Sequence, residues 1–465
     1  MKSICIALGC LLIAGEARAQ ITTEALLDSV QHTAFEYFWN EANPANGLIK
    51  DRNTSGSPCS IASVGFGLSA ICIGIDHGWI TRDQGRARVR TTLETFWNYP
   101  QGPDASGFIG YKGLYYHFLD MTTGLRTWDS ELSTIDTALL FAGILHARQY
   151  FTSADSIETR IRALADSIYQ RADWNFMRNL HPAILMGWKP VTGFSGFGEW
   201  RGYNEAMILY ILALGSPTHA VPTTCWGTWT STYSWQTLSG QTYVIFPPLF
   251  GHQYSHCWVD FRYIQDPYMQ GKGITYFENS RRATLAQRAY AIANPEGYRG
   301  YGERLWGLSA CDGPLDGTVT VGGRAREFHT YQARGASFTR VTDDGTIAPT
   351  AAAASIAFAP ELVIPTLIAM RDDWGEPLFG RYGFLDALNP TLDVPASLHH
   401  GRVVAGRGWF DTDYLGIDQG PILAMIENHR TGLVWRTMRR NLHIVRGLER
   451  AGFSGGWLDS AAAGR

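Results

Sequence analysis

The sequence predicts an all-α chain folded as an (α/α)6 barrel, a toroid of two concentric helix rings with long loops and a small hairpin. Three observations predict it. Helical stretches that are apolar all round alternate with amphipathic, charged ones. That is the pattern of inner helices touching neighbours on every side and outer helices keeping one wet face. Long Gly- and aromatic-rich loops join them, and the 465 residues include 50 Gly. Finally, no internal repeat of roughly 20–50 residues is visible, which sets a regular solenoid aside.

The elements follow in order. MKSICIALGCLLIAGEARAQ has Lys2, an apolar run over 4–14 and Ala17-Arg18-Ala19, the three regions of a secretory signal peptide. Residues 1–19 are read as that signal, residues 20–465 as one domain, and the location as periplasmic or secreted. A lipoprotein anchored at Cys10 is the alternative. Residues 22–40 start with Thr caps and place Leu26, Leu27, Val30, Ala34, Tyr37 and Phe38 at near-helical spacing. Residues 60–76 are small and apolar all round, a buried helix. Residues 81–98 are amphipathic. GFIGYKGLYYHFLDMTTGL, 107–125, alternates and turns like a hairpin. An apolar helix over 133–151 and a charged one over 154–172 repeat the pairing. Helical stretches follow at 203–214, 280–293, 351–372 and 420–450, and the loops 236–280 and 294–350 are expected at the mouth of the central cavity.

Composition narrows the function. Lys+Arg number 39 against Asp+Glu 42, a net charge of −3, with no basic run; nucleic acid is excluded as a partner. No stretch of 18 apolar residues follows the leader, so no membrane span is expected. Charged residues are 17% and aromatics 13%, with 16 Trp. Such a surface suits flat apolar faces such as sugar rings, although an aromatic core accounts for it equally well. Five cysteines follow the leader, an odd number at irregular spacing without a C-x-x-C. A zinc site and a disulfide scaffold are therefore disfavoured, and neither metal nor cofactor is expected. The chain is read as a monomer.

The chemistry is carried by carboxylates placed ahead of apolar helices. RTWDSELSTIDTALLFAGIL, 126–145, holds Asp129, Glu131 and Asp136. EWRGYNEAMILYILAL, 199–214, holds Glu199 and Glu205. DQGPILAMIENHR, 418–430, opens with Asp418. Three helices starting from acidic, aromatic-rich turns suggest one shared mouth, and two carboxylates facing across a pocket are the equipment for glycosidic bond cleavage. Ser133 with Asp136 also fits a capping box, and Glu205 fits a first-turn residue stabilising its helix. A third group is GHQYSHCWVDFR, 251–262. His252 and His256 are four apart and Asp260 four further on. On a helix they share a face, as metal ligands do, but the zinc-protease Glu is missing. The interleaved Tyr254, Trp258 and Phe261 suit a sugar-contact surface better, with plain core packing as the alternative and an Arg262–Asp260 ion pair as the structural reading of those two.

WDSELSTIDTALL, GFGEWRGYNEAMILYILALGS, HQYSHCWVDFR, TIAPTAAAASIAFAPE, YGFLDALN and YLGIDQGPILAMIENHRTGLVW together resemble the glycoamylase-like domain. More narrowly they resemble the bacterial β-1,2-glucanases of glycoside hydrolase family 144, over residues 22–450. The resemblance implies an (α/α)6 barrel that hydrolyses β-1,2-glucan to sophoro-oligosaccharides with inversion and without a metal. It carries the family's acidic cleft residues onto Asp129, Asp136 and Glu205, with Glu131 and Glu199 beside them. Glu205 is expected to protonate the leaving oxygen, and Asp136 or Asp129 to activate water. Trp128, Trp200, His252, Trp258, Asp260, Arg262 and Asp418 are expected to hold sugar rings, and the action to be endo. The alternatives are an exo-acting sophorose-releasing relative, a polysaccharide lyase using Tyr254 and His256, and a non-catalytic glycan-binding protein.

Overall fold

The computed structural model describes residues 22–338 and 340–463. The signal-peptide expectation for residues 1–19 lies outside them. The chain is helix-rich with small sheets. Its long helices are α1 (Thr23–Asn40), α2 (Ile61–Asp76), α3 (Arg82–Asn98), α4 (Thr134–Tyr150), α5 (Ser156–Gln170), α6 (Met207–Gly215), α7 (Tyr276–Ala293), α8 (Pro360–Trp374), α9 (Gly416–Arg430) and α10 (Leu442–Arg450).

Two burial patterns separate them. In α6 every residue is buried, and α2, α4 and α9 are buried around most of their circumference. In α5 burial is confined to a stripe of Glu158, Ile161, Leu164, Ala165, Ile168 and Tyr169, the spacing of a helix with one face to water. The fully buried helices pack on one another, α2 against α4 and α9, and α4 against α6. The striped ones lie outside them: α1 on α2 and α9, α5 on α4, α10 on α6, and α3 on α5. The α2–α4 contact is tight because Gly65 and Gly143 meet there. A Cβ on either would run into the backbone of the other helix.

Sequence punctuation sets most boundaries. Thr22, Thr81, Ser133, Asp155 and Thr275 cap their helices with side-chain oxygens, each satisfying an orphan N–H of the first turn. Two expected helices are broken. The stretch 351–372 divides into Pro349–Ala353 and α8, since Pro360 fits a first turn but not a helix interior. The stretch 420–450 divides into α9, Leu433–Met438 and α10, with Gly432 at φ +72° at the first break and Asn441 capping α10. The expected hairpin is present: Gly110–Tyr111 pairs with Leu114–Tyr115, across Lys112 and Gly113 at φ +55° and +80°, which is how a two-residue turn matches strand twist. A longer hairpin, Gly317–Val321 with Arg324–Phe328, lies in the region expected as loop. The cysteines Cys59, Cys72, Cys225, Cys257 and Cys311 are buried and unpaired among the described residues. No described helix is long and apolar enough to cross a membrane.

Candidate active site

The N-terminal ends of three buried helices converge. Asp136 is the third residue of α4, Asp418 the third of α9, and Glu205 lies two residues ahead of α6. All three line one cavity of about 170 Å³. Its other walls are largely apolar: Ile135 and Leu139 from α4, Leu415 and Ile417 at α9, and the rings of Phe250, Tyr254 and Tyr331. No basic side chain lines it among the described residues.

The three carboxyl groups have different environments. Glu205 is half-buried, and its Oε2 has no hydrogen-bond partner among the described residues. Burial, with the nearby Asp136 charge adding to it, pushes the Glu205 carboxyl up to about 7, a group that still carries its proton near neutrality. Asp136 is buried and well supplied with partners. Ser133 Oγ donates to its Oδ2 at 2.6 Å and in turn accepts its backbone N–H at 3.2 Å. His117 Nε2 lies 3.6 Å from Asp136 Oδ1, and His117 Nδ1 lies 3.0 Å from Glu131 Oε1. Desolvation opposes charging of His117, but Asp136 and Glu131 outweigh it and raise the imidazole to about 9. Asp136 therefore sits between a helix N-terminus and an imidazolium, both positive. Asp418 is pushed up to about 7 by burial and neighbouring acids. Behind it stands Asp386, 1% exposed, raised well above the ordinary range by burial first and then by the Asp418 charge. Two like charges this close cannot both ionise, so one proton stays on the pair near neutrality.

Two histidine–carboxylate groups bring possible ligand atoms within 4.8 Å of one another, His117 with Glu131 and Asp136, and Asp312 with His400 and Asp411. In both the imidazole is driven to its charged form, His400 to about 10 by Asp411 and Asp413.

Comparison with known proteins places the chain. The Glycoamylase family model matches residues 198–442, more than half of the chain and a span that includes Glu205 and Asp418. The chain belongs to the Glycoamylase family. Within it the relatives are β-1,2-glucanase-like, of the glycoside hydrolase family 144 type. An exo β-1,2-glucooligosaccharide sophorohydrolase (non-reducing end) of Parabacteroides distasonis is 30% identical over 464 residues, covering 92% of this chain and 58% of that protein. The chain therefore spans less than two thirds of that relative's length. An endo-β-1,2-glucanase of Chitinophaga pinensis, solved with sophorotriose and glucose, superposes with a TM-score of 0.80 at 27% identity, over 94% of this chain and 100% of that one. A β-1,2-glucanase of Parabacteroides distasonis gives 0.79 at 28%, over 93% and 60%.

The other candidate residues divide by what their side chains touch. Asp129 is 78% exposed at the side chain and held by Arg126 at 2.8 Å and Lys189 at 2.6 Å; it does not line the cavity. Trp128 is 66% exposed and leans on Phe118, which stacks on His117, so it stands at the outer end of a row of rings leading to Asp136. Glu199 is occupied by His181 and Arg201.

Five of the expected sugar-binding residues make contacts within the protein and do not line the cavity. Trp200 is buried and donates to Thr134 Oγ1 at 2.9 Å. His252 is buried against Tyr203 and hydrogen-bonds the Phe246 carbonyl at 3.1 Å; burial lowers its ring to about 3. Trp258 is fully buried on Phe66 and donates to Ser69 Oγ. Asp260 is buried and pairs with Arg262 and Arg439, while Arg262 lies over Trp435. Nor do the two histidines share one helix, because a 3-10 turn ends at His252 and a separate short helix starts at Tyr254. The period-four spacing and aromatic interleaving here come from core packing. Asp386, Asp312 and His117 were missed by residue reasoning. They sit in loops beside short strands, and only the YGFLDALN motif pointed towards Asp386.

Proposed function

We propose that the chain hydrolyses β-1,2-glucan with two carboxyl groups facing across the cavity. The observation that carries this is the pairing of Glu205, protonated near neutrality in a largely apolar wall, with the hydrogen-bonded Asp136 in the same cavity. Glu205 is the general acid that protonates the departing glycosidic oxygen, and Asp136 is the base that activates water for inversion. Asp129 yields the base role to Asp136, since both its oxygens are engaged by cations at the surface. Asp418, with Asp386 behind it, is the third carboxyl group at the reacting sugar. The substrate is supported by the printed activities of the relatives, both endo and exo.

A lyase is disfavoured by the same wall. Uronic acid substrates call for cations, and the lining residues include three carboxyl groups and no base-bearing Lys or Arg. Tyr254 lines the cavity, but His256 is buried against Ser280 away from it. Binding without turnover is disfavoured by a raised carboxyl group at the cavity wall.

The proposal includes internal attack on the polymer, a closed ring of six helix pairs, and export directed by residues 1–19. Incubation with linear β-1,2-glucan tests it. A ladder of sophoro-oligosaccharides with new reducing ends is the expected result. Sophorose alone from the first minutes would replace internal attack with exo action. No products from this glucan would overturn the reading.

A further inference from the structure

Asn428 is about three turns beyond Asp418 in α9, roughly 15 Å along its axis. It donates to the Cys257 carbonyl at 2.9 Å. Trp435 donates to the His256 carbonyl at 2.6 Å, and Arg262 lies over the Trp435 ring. The segment 260–263 therefore lies at the end of α9 remote from the carboxylate cavity. At that end a cavity of about 380 Å³ is walled by Tyr263, Gln265, Ile274, Thr275, Glu278 and Arg282. None of these residues lines the carboxylate cavity.

Tyr263 is 77% exposed and stands at φ +66°, a left-handed backbone that L side chains rarely adopt. Its ring has no stacking partner and its hydroxyl no hydrogen bond among the described residues. The backbone is clamped all the same. Gly455 and Gly456 pack on it, and a Cβ on Gly456 would meet the Tyr263 carbonyl oxygen at 2.7 Å. Gln265 and Ser454 exchange backbone hydrogen bonds at 3.0 Å. Trp457 donates to the Asp260 carbonyl at 2.8 Å. The fold thus holds a tyrosine in an unfavourable backbone state and leaves its ring in water, where packing returns nothing. An outlier held in this way is a mark of function.

The wall beside that ring is neutral and its polar groups are fixed. Glu278 and Arg282 pair at 2.8 Å, and Arg282 also donates to the Thr242 carbonyl at 2.9 Å. The Gln265 amide donates to the Ile274 carbonyl at 2.8 Å. Thr275 Oγ1 accepts the Glu278 N–H at 3.1 Å. The one cation is already compensated, so no surplus charge selects an anion. None of the walling residues belongs to a strand, so no sheet edge is offered to an extended peptide. Ile274 is nearly buried and gives an apolar floor. A flat exposed ring, an apolar floor and a rim of fixed donors and acceptors suit a neutral pyranose, which has apolar faces and a hydroxyl edge.

We infer that this cavity is a second glucan-holding site, separate from the carboxylate cavity, that keeps a polymer chain on the protein between cleavages. The identity of its ligand rests on the proposed glucan hydrolysis.

The test is affinity electrophoresis through gels cast with linear β-1,2-glucan, run on Glu205→Gln so that the polymer is not consumed. Tyr263→Gly, added to it, removes the ring and suits the left-handed backbone; Tyr263→Asn does the same with a residue that tolerates that region; Tyr263→Phe keeps the ring. The dissociation constant read from the retardation rises about three- to ten-fold for Gly and Asn, the scale of one stacking contact, and stays within about two-fold for Phe. In the otherwise wild-type chain, Tyr263→Gly lowers kcat/KM on the polymer by the same factor and leaves it within about two-fold on the shortest cleaved oligosaccharide. Equal retardation of all variants, retardation of none, or an equal loss of kcat/KM on polymer and shortest substrate overturns the inference. Retardation that depends on Tyr263 in a protein without turnover sustains this site and overturns the hydrolase reading. Turnover with retardation indifferent to Tyr263 does the reverse.

Discussion

Across one cavity, Asp136 Oδ2 receives the Ser133 hydroxyl at 2.6 Å while Glu205 Oε2 has no hydrogen-bond partner among the described residues. The asymmetry divides acid from base. A carboxyl group with one oxygen left without a donor, buried and facing a like charge, is favoured in its protonated form, whereas hydrogen bonds donated to a carboxylate favour its ionised form. Glu205→Gln removes the transferable proton at almost constant volume. Its kcat on β-1,2-glucan is expected to fall about 10²–10⁴-fold, the range of general acid catalysis, with an unchanged circular dichroism spectrum. A variant within a few-fold of the wild-type rate removes Glu205 from the role.

The same geometry sets a pH dependence. The Glu205 carboxyl stands at about 7, raised by burial and then by Asp136. The acid form is the active one, so kcat/KM should decline as pH rises through about 7. Asp136→Asn removes the like charge, so the Glu205 titration should move to lower pH. Carbon-13 NMR of labelled glutamate measures this independently of turnover. A midpoint that does not fall shows that the two groups are uncoupled.

Much of this site was legible in the sequence because carboxylates at helix starts leave a linear mark. Ser133 and Asp136 have capping spacing, and Glu205 comes immediately before an unbroken apolar run. Both the cap and the cavity contact prove true of Asp136, so the structural and functional readings were never exclusive. Asp386 left no such mark. It lies between two short strands, Gly383–Phe384 and Leu388–Asn389, and tertiary folding alone brings it behind Asp418. For residues 252–262 both readings stay open in the sequence, because a period of four with interleaved aromatics describes a helix face equally well whether it meets a ligand or the core. The fold was more legible, since all-round and one-sided apolarity differ in composition. Its breaks at Pro360 and Gly432 were blurred by continuous hydrophobicity on either side.

Asp260 distinguishes a packing residue from a sugar-binding one. Its buried carboxylate holds Arg262 and Arg439 and connects helices late in the chain to the segment after Trp258. Asp260→Asn leaves both cations with a weaker partner. A loss of about 2–3 kcal/mol in unfolding free energy is expected, the low side for a broken buried pair because the arginines reach solvent. Denaturant titration reads the loss, while KM for β-1,2-glucan at a temperature where the variant is folded should hold. A raised KM with undiminished stability would return Asp260 to the substrate site.

Glu205 and Asp418 also predict how stability varies with pH. Their carboxyl groups rise from ordinary values of 4.5 and 3.8 to about 7 in the fold. Below about pH 3 both are protonated whether the chain is folded or not, and their contribution to stability is fully present. Between about 4 and 7 the unfolded chain releases these protons while the folded chain keeps them. The native state then binds more protons, and stability falls as pH rises. Glu205→Gln with Asp418→Asn removes both groups. Wild type should therefore lose more melting temperature than the double variant between pH 4.5 and 7, and the difference between the two curves isolates these groups from depressed carboxylates such as Asp344 and Glu427, which act with the opposite sign. Parallel curves for the two proteins would mean that neither carboxyl group is raised in the fold.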